Sequence, residues 1–160
     1  MSTNMEKAED IIKKHQKDAP VLVSAVAKEM GLDVIKIEVW PHNISGMLKK
    51  QKDNKFVIYV NGNHSKVRRR FTIAHEIAHF ILHRHLISKI NNQLVDDTLY
   101  RSGLNSIYES AANRFAADIL MPWSLVNKAI DSGVSEIEEL AKRFNVSKSA
   151  ISIRLGVPFE

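Results

Sequence analysis

Two histidines and a glutamate stand at a spacing that can bind a metal ion and use it. His75 and His79 lie four residues apart, and Glu76 follows the first of them. On a helix, this spacing places both imidazoles on one side, close enough to share one tetrahedral metal ion. The glutamate points toward the same space without being needed as a ligand, so it can take a proton from metal-bound water. The chemistry predicted for this group is metal-assisted hydrolysis.

The stretch around this group has the pattern of a buried helix. Its apolar residues recur at i, i+3, i+4, i+7 and i+8, at Ala74, Ile77, Ala78, Ile81 and Leu82. The alternative to a metal site is a buried helix whose histidines are satisfied by hydrogen bonds. That alternative leaves three ionisable residues on one face of an apolar helix, where burial is costly without partners. A metal ion accounts for all three together.

A third ligand must complete such a site, and Glu109 and His83 compete for the role. Glu109 belongs to a second predicted helix, over residues 106–120, and Asn113 shares its face one turn further on. Glu109 would complete a set of three protein ligands and leave the fourth position to water. Asn113 would then hold one of the ligands in place through a hydrogen bond. His83 is the competing ligand, but a third imidazole from the same helix closes a tetrahedral site poorly, so we favour Glu109.

The runs that carry these residues resemble the ImmA/IrrE family of metallo-endopeptidases. The similar runs lie within roughly residues 20–155 and are 45–48, 56–61, 70–83 and 109–122. The resemblance implies that His75, His79 and Glu109 hold zinc. It also implies that Glu76 is the general base. Relatives often carry a second acidic residue where this chain has Ala111, which leaves Glu109 as the local carboxylate.

Composition and length favour a soluble globular protein. The chain has 160 residues, of which 44% are apolar and 26% charged, and it has no apolar run long enough to cross a membrane. The N-terminus lacks the apolar stretch of a signal peptide, which predicts a cytoplasmic location and no membrane partner. Because the chain has no cysteine, any metal site must use histidine and carboxylate ligands.

The positive charge is concentrated in the middle of the chain. The whole sequence has a formal net charge of +5, whereas residues 47–90 hold ten Lys and Arg against two acidic residues, a local excess of +8. Such a surface can attract nucleic acid or an acidic polypeptide. An ordinary solvated surface is the more common explanation of a charge excess of this kind.

The pattern of elements predicts an α+β fold with a minimal zincin-like core. We expect a small sheet, including a hairpin, to pack on the H-E-x-x-H helix, and an irregular connector over 86–104. The other predicted elements are helices over 3–17 and 21–30, a strand over 34–40, and hairpin strands over 46–51 and 56–60. Residues 1–130 are predicted to form the metallopeptidase domain and 131–160 a small helical extension packed on it. A sheet edge beside the metal could hold a peptide as an added strand.

The C-terminal segment resembles a helix-turn-helix. A capping-box pattern at 135–138 begins one predicted helix, and a turn at 145–147 leads to a second over 148–155. If the second helix entered a major groove, the residues offered to DNA would be Lys148, Ser149, Ser152 and Arg154. Docking of a protein, or a purely structural role, is the preferred interpretation of this segment.

These observations predict a zinc-dependent endopeptidase, and manganese or another divalent ion would also suit the ligands. The resemblance implies a protein substrate, namely a DNA-binding repressor in a mobile-element, toxin-antitoxin or stress-response system. The alternative is a non-catalytic regulatory or toxin-like module that binds protein or DNA through its basic surface and C-terminal helices. A hydrolase acting on another substrate is a further alternative. Residues whose types suit oxyanion stabilisation are Tyr100, Arg101, Tyr108 and His83.

Overall fold

The computed structural model describes residues 3–87, 92–97 and 106–157, which form seven helices and four strands. In chain order the elements are α1 (Asn4–Lys14), α2 (Val23–Glu29), β1 (Asp33–Ile37), β2 (Ile44–Lys50), β3 (Phe56–Asn61), α3 (Lys66–Ile87), β4 (Gln93–Asp97), α4 (Ser106–Leu120), α5 (Trp123–Asp131), α6 (Ile137–Phe144) and α7 (Lys148–Leu155). The predicted α+β class is confirmed. None of the helices in the described ranges is both long and apolar enough to cross a membrane.

The four strands form one sheet in the order β1-β3-β2-β4. The predicted hairpin is present, since β2 and β3 are antiparallel, and Asn54 takes a positive φ of 65° in its turn. β1 runs parallel to β3 and ends at Ile37, so the predicted extension of this strand to Trp40 is wrong. Residues 38–40 form bends instead.

The connector predicted to be irregular contains a strand. β4 pairs antiparallel with β2, which makes β2 an interior strand of the sheet. The pairing skips one residue of β2, because Ile44 faces Asp97 while Gly46 faces Asp96. Such a bulge bends the strand locally. It lies next to Gly46, near the start of β2.

Helix α3 packs directly on the hairpin because β2 has a glycine where the two elements meet. A Cβ atom at Gly46 would lie 2.5 Å from Cγ2 of Thr72 and 3.6 Å from Cγ of Glu76. Any larger residue would therefore separate the helix from the strand. The hydrophobic core continues beneath this contact through fully buried side chains of both layers, including Leu48, Ile58, Ala74 and Ile77.

Helices α6 and α7 are bound to the rest of the chain by two arginines. Arg70 of α3 is buried and donates through Nε to the carbonyl of Asn145 at 3.0 Å and through Nη2 to that of Phe144 at 3.2 Å. Arg154 of α7 donates to the carbonyl of Met121 at 2.9 Å. Buried side chains of both helices also join the main hydrophobic cluster. The domain division at residue 130 stays a prediction.

Two of the four residues that α7 would offer to a major groove, if it entered one, are engaged within the protein. Ser152 is 2% exposed, and Arg154 forms an ion pair with Asp118 at 2.8 Å. The Ser152 side chain is therefore buried and not on the surface, and Arg154 already has a carboxylate partner. The predicted capping box is also absent, because α6 begins after Glu136, which makes no side-chain capping bond. α5 lies in a segment for which no helix is predicted above.

Candidate metal centre

Helices α3 and α4 bring three of the predicted site residues into one buried cluster. Nε2 of His75 lies 3.2 Å from Oε2 of Glu109, and Nε2 of His79 lies 3.2 Å from the other oxygen, Oε1. The three potential ligand atoms all lie within 4.8 Å of one another, and each residue is at most 4% exposed. The arrangement arises because residues four apart on α3 share a face, and α4 delivers the carboxylate opposite them.

Asn113 lies where it can orient the first histidine. Its Oδ1 atom lies 2.8 Å from Nδ1 of His75. Because an amide oxygen only accepts hydrogen bonds, Nδ1 must carry the proton, and Nε2 then presents its lone pair toward Glu109. This is the arrangement in which a histidine binds a metal ion through Nε2.

His83 orients the second histidine in a similar way. Its Nδ1 atom lies 2.8 Å from Nδ1 of His79. Burial is the main cause that lowers the pKa of His83 to about 4. At neutral pH it is therefore an uncharged imidazole, and its Nδ1 can accept a hydrogen bond from the Nδ1–H group of His79. His83 thus contacts a ligand and lies outside the clustered group, and its ring packs edge-on against Tyr108 at 5.0 Å.

Glu76 is fully buried on α3 between the two histidines in sequence. It is not one of the three clustered residues. Its position depends on the close contact between α3 and Gly46. Of the residues suited to oxyanion stabilisation, Tyr100 and Arg101 lie outside the described residues, and Tyr108 is half-buried against His83.

The chemistry of the cluster fits a divalent metal ion. A carboxylate and two imidazoles, all buried, would place a negative charge in a region of low dielectric, and a bound cation would compensate that charge. Two nitrogens and one carboxylate oxygen are also a ligand set that zinc accepts, with one position left open. Gly46 supports this site through its contact with α3, although this role was not predicted. A glycine inside a strand pattern was the only signal for it in the sequence.

The sequence matches the family model described as the IrrE N-terminal-like domain, a peptidase family, over residues 27–156. The chain belongs to this family. The ImmA/IrrE resemblance is thereby confirmed, and membership together with the buried cluster indicates a metallopeptidase-type protein. A comparison with curated proteins found no match.

A solved structure has the same fold as this member of the family. It is named a Mycobacterium tuberculosis transcriptional regulator and superposes with a TM-score of 0.64 at 20% sequence identity. The match covers 98% of this chain but 48% of the other, so the chain spans about half the length of that protein. At this identity the likeness concerns the fold alone.

Proposed function

We propose that the protein is a zinc-dependent endopeptidase. The observation that carries this proposal is the juxtaposition of Glu76, a buried carboxylate outside the ligand cluster, with the His75, His79 and Glu109 group. A scaffold that only bound metal would have little need for a buried, ionisable residue at this position, since its burial costs free energy. The peptidase family of the chain supports the same reaction class.

Each residue of the site has a role in this mechanism. Zinc held by His75, His79 and Glu109 would supply a Lewis acid that polarises the peptide carbonyl. Glu76 takes the proton of the attacking water and then gives it to the amine nitrogen that leaves. Asn113 holds the imidazole of His75 in the tautomer that leaves Nε2 free to bind. Manganese or another divalent ion in place of zinc would leave these roles unchanged.

The proposed substrate is a DNA-binding repressor protein. The family resemblance supports this, as does the excess of basic residues over 47–90, which would attract an acidic polypeptide. Cleavage would relieve repression in a mobile-element, toxin-antitoxin or stress-response system. The second candidate is a non-catalytic regulator, which is favoured by the name of the solved structure that shares the fold.

Substitution of Glu76 separates these two candidates. We expect the zinc-loaded protein to cut peptides in a proteome-derived library, with products identified by mass spectrometry. The Glu76→Gln variant should keep its zinc and lose about 10²–10⁴-fold in rate. The matched control is Glu138→Gln, an exposed position on α6, which should cut as the unmodified protein does.

Metal analysis completes the test. One zinc ion per chain is expected for the unmodified protein and for Glu76→Gln, and a sharp loss for Glu109→Ala. A protein that binds zinc but cuts no peptide, and whose biological effect survives Glu76→Gln, would be the regulator. A protein that binds no metal would contradict the proposed site itself.

A further inference from the structure

Two cavities flank the side chain of Phe71 on the surface beside the candidate metal centre. The first has a volume of about 460 Å³ and the second about 420 Å³. Both are lined by Phe71 and by Ala150 of α7, so they are neighbouring parts of one depression. Each lies within the range of about 300–1,000 Å³ that is usual for binding sites.

Each cavity is lined by one residue that lies one helical turn from a residue of the candidate metal centre or from Glu76. Asn113 lines the first cavity and also contacts His75 at 2.8 Å. Thr72 lines the second cavity and precedes Glu76 by four residues on α3, which places the two on the same face. A chain lying across Phe71 would therefore pass close to both the metal ligands and the proton-transfer residue.

The walls of the depression combine apolar and positively charged groups. Its apolar surface includes Phe71, Ala150 and Ile153, and the last of these is 79% exposed at the rim. Arg68 borders the second cavity and Arg114 the first, and the described residues give neither of them a carboxylate partner. No carboxylate is found among the described residues that line either cavity.

We propose that this depression binds an extended segment of the polypeptide substrate, with an apolar side chain over Phe71 and acidic residues facing Arg68 and Arg114. Helix α7 then forms one wall of the substrate site, and the C-terminal segment serves peptide recognition. This inference rests on the proposed peptidase function and specifies which substrate sequences that site takes.

The chemistry of the walls favours a polypeptide over nucleic acid. Ala150 and Phe71 offer an apolar floor, which suits an aliphatic or aromatic side chain. The third arginine at the depression, Arg154, is already paired with Asp118 at 2.8 Å, which lowers the local attraction for phosphate. Ser152, on the same helix, faces the interior.

Binding to the zinc-loaded Glu76→Gln protein tests the proposal without cleavage. The probes are a short fluorescein-labelled peptide of alternating Leu and Glu, the matched peptide of Leu and Lys, and a short labelled DNA duplex. Fluorescence anisotropy should show that the Glu peptide binds about tenfold more tightly than the Lys peptide. Equal affinity for the two peptides, or tighter binding of the duplex at this surface, would overturn the proposal.

Two further substitutions locate the peptide. Ala150→Phe places a large side chain on the wall that lines both cavities, and Ser149→Phe adds the same side chain at the adjacent exposed position of α7. The first should weaken peptide binding about tenfold, and the second should leave it unchanged. Arg114→Glu should weaken binding of the Glu peptide, whereas Lys148→Glu, at an exposed position outside the lining, should not.

The peptide library separates this inference from the proposed function. Active protein should prefer cleavage sites with an apolar residue near the cut and Asp or Glu close by, and Ala150→Phe should change that preference at unchanged zinc content. Cleavage whose preference is the same with and without Ala150→Phe would refute the depression as the substrate site and leave the peptidase function standing. Specific peptide binding without any cleavage would refute the peptidase function and leave the depression as a peptide-binding site.

Discussion

The Nδ1 atoms of His79 and His83 lie 2.8 Å apart, and both imidazoles are buried on the same side of α3. One of the two nitrogens must donate and the other accept. Nε2 of His79 faces the Glu109 carboxylate at 3.2 Å and must keep its lone pair to bind a metal ion. His79 is therefore the donor, and His83 fixes the orientation of a candidate metal ligand while lying outside the candidate ligand group.

Removal of this support should weaken metal binding. We expect His83→Ala to lower zinc affinity by about 10–100-fold, because the ring of His79 loses the partner that orients it. His83→Gln should recover part of the lost zinc affinity, because its side-chain oxygen can accept the same hydrogen bond from His79. Competition with a chromogenic chelator measures these affinities. His85→Ala, at an exposed position on the same helix, is the control, and equal affinities of all four proteins would contradict the assigned role.

Arg70 should be a main source of stability at the junction of α3 with the C-terminal helices. Arg70→Met keeps much of the side-chain volume but leaves the carbonyls of Phe144 and Asn145 without their donor. We expect a loss of about 2–4 kcal/mol in the free energy of unfolding, measured with urea. Amide exchange should become faster in α6 and α7. The exposed Arg143→Met serves as control, and an unchanged exchange rate in these helices would speak against this connection.

Gly46 should be required for the close packing of α3 on β2. A Cβ atom at this position would lie 2.5 Å from Cγ2 of Thr72 and 3.0 Å from the carbonyl oxygen of Tyr59. Gly46→Ala is expected to cost about 1–3 kcal/mol of unfolding free energy and to lower peptidase activity by displacing Glu76. Because Thr72→Ser removes the clashing methyl group, the penalty should be smaller in that background. A penalty of the same size in both backgrounds would argue against this contact.

His64 should make the protein less stable in weak acid. It is 3% exposed, its Nε2 donates to the carbonyl of His42 at 2.8 Å, and its Nδ1 is buried without a hydrogen-bond partner among the described residues. Burial is the main cause that lowers the pKa of His64 below its usual value of 6.5. Between the folded and unfolded pKa values the unfolded chain therefore binds more protons, and stability is lost as the pH falls below 6.5.

Urea unfolding of the metal-free protein at a series of pH values measures this effect. The free energy of unfolding should fall more steeply below pH 6.5 in the unmodified protein than in His64→Gln, which has no group to protonate there. His85→Gln, at an exposed position, should follow the unmodified protein. Parallel curves for the unmodified protein and His64→Gln would show that His64 does not contribute.

The sequence predicted the elements whose signals are local. The apolar periodicity of α3 and α4 and the turn of the β2–β3 hairpin depend on residues a few positions apart, and all three elements are present. The same periodicity placed Glu109 and Asn113 on one face, and the structure brings them to the two histidines of α3. α5 lacked a local signal of that strength, and β4 lay in a segment without clear alternation.

Tertiary contacts decided the features that depend on distant residues. The parallel pairing of β1 with β3 and the addition of β4 as an edge strand follow from which backbones meet, and single-strand patterns do not encode this choice. Arg70 and Arg154 carry no sequence signal that distinguishes them from the other basic residues. Whether a charged side chain turns to solvent, to DNA or to a buried carbonyl depends on the groups that packing brings within hydrogen-bond distance. The sequence by itself determined the chemical types at the metal centre, and the packing of α3, α4 and α7 determined the surface that surrounds it.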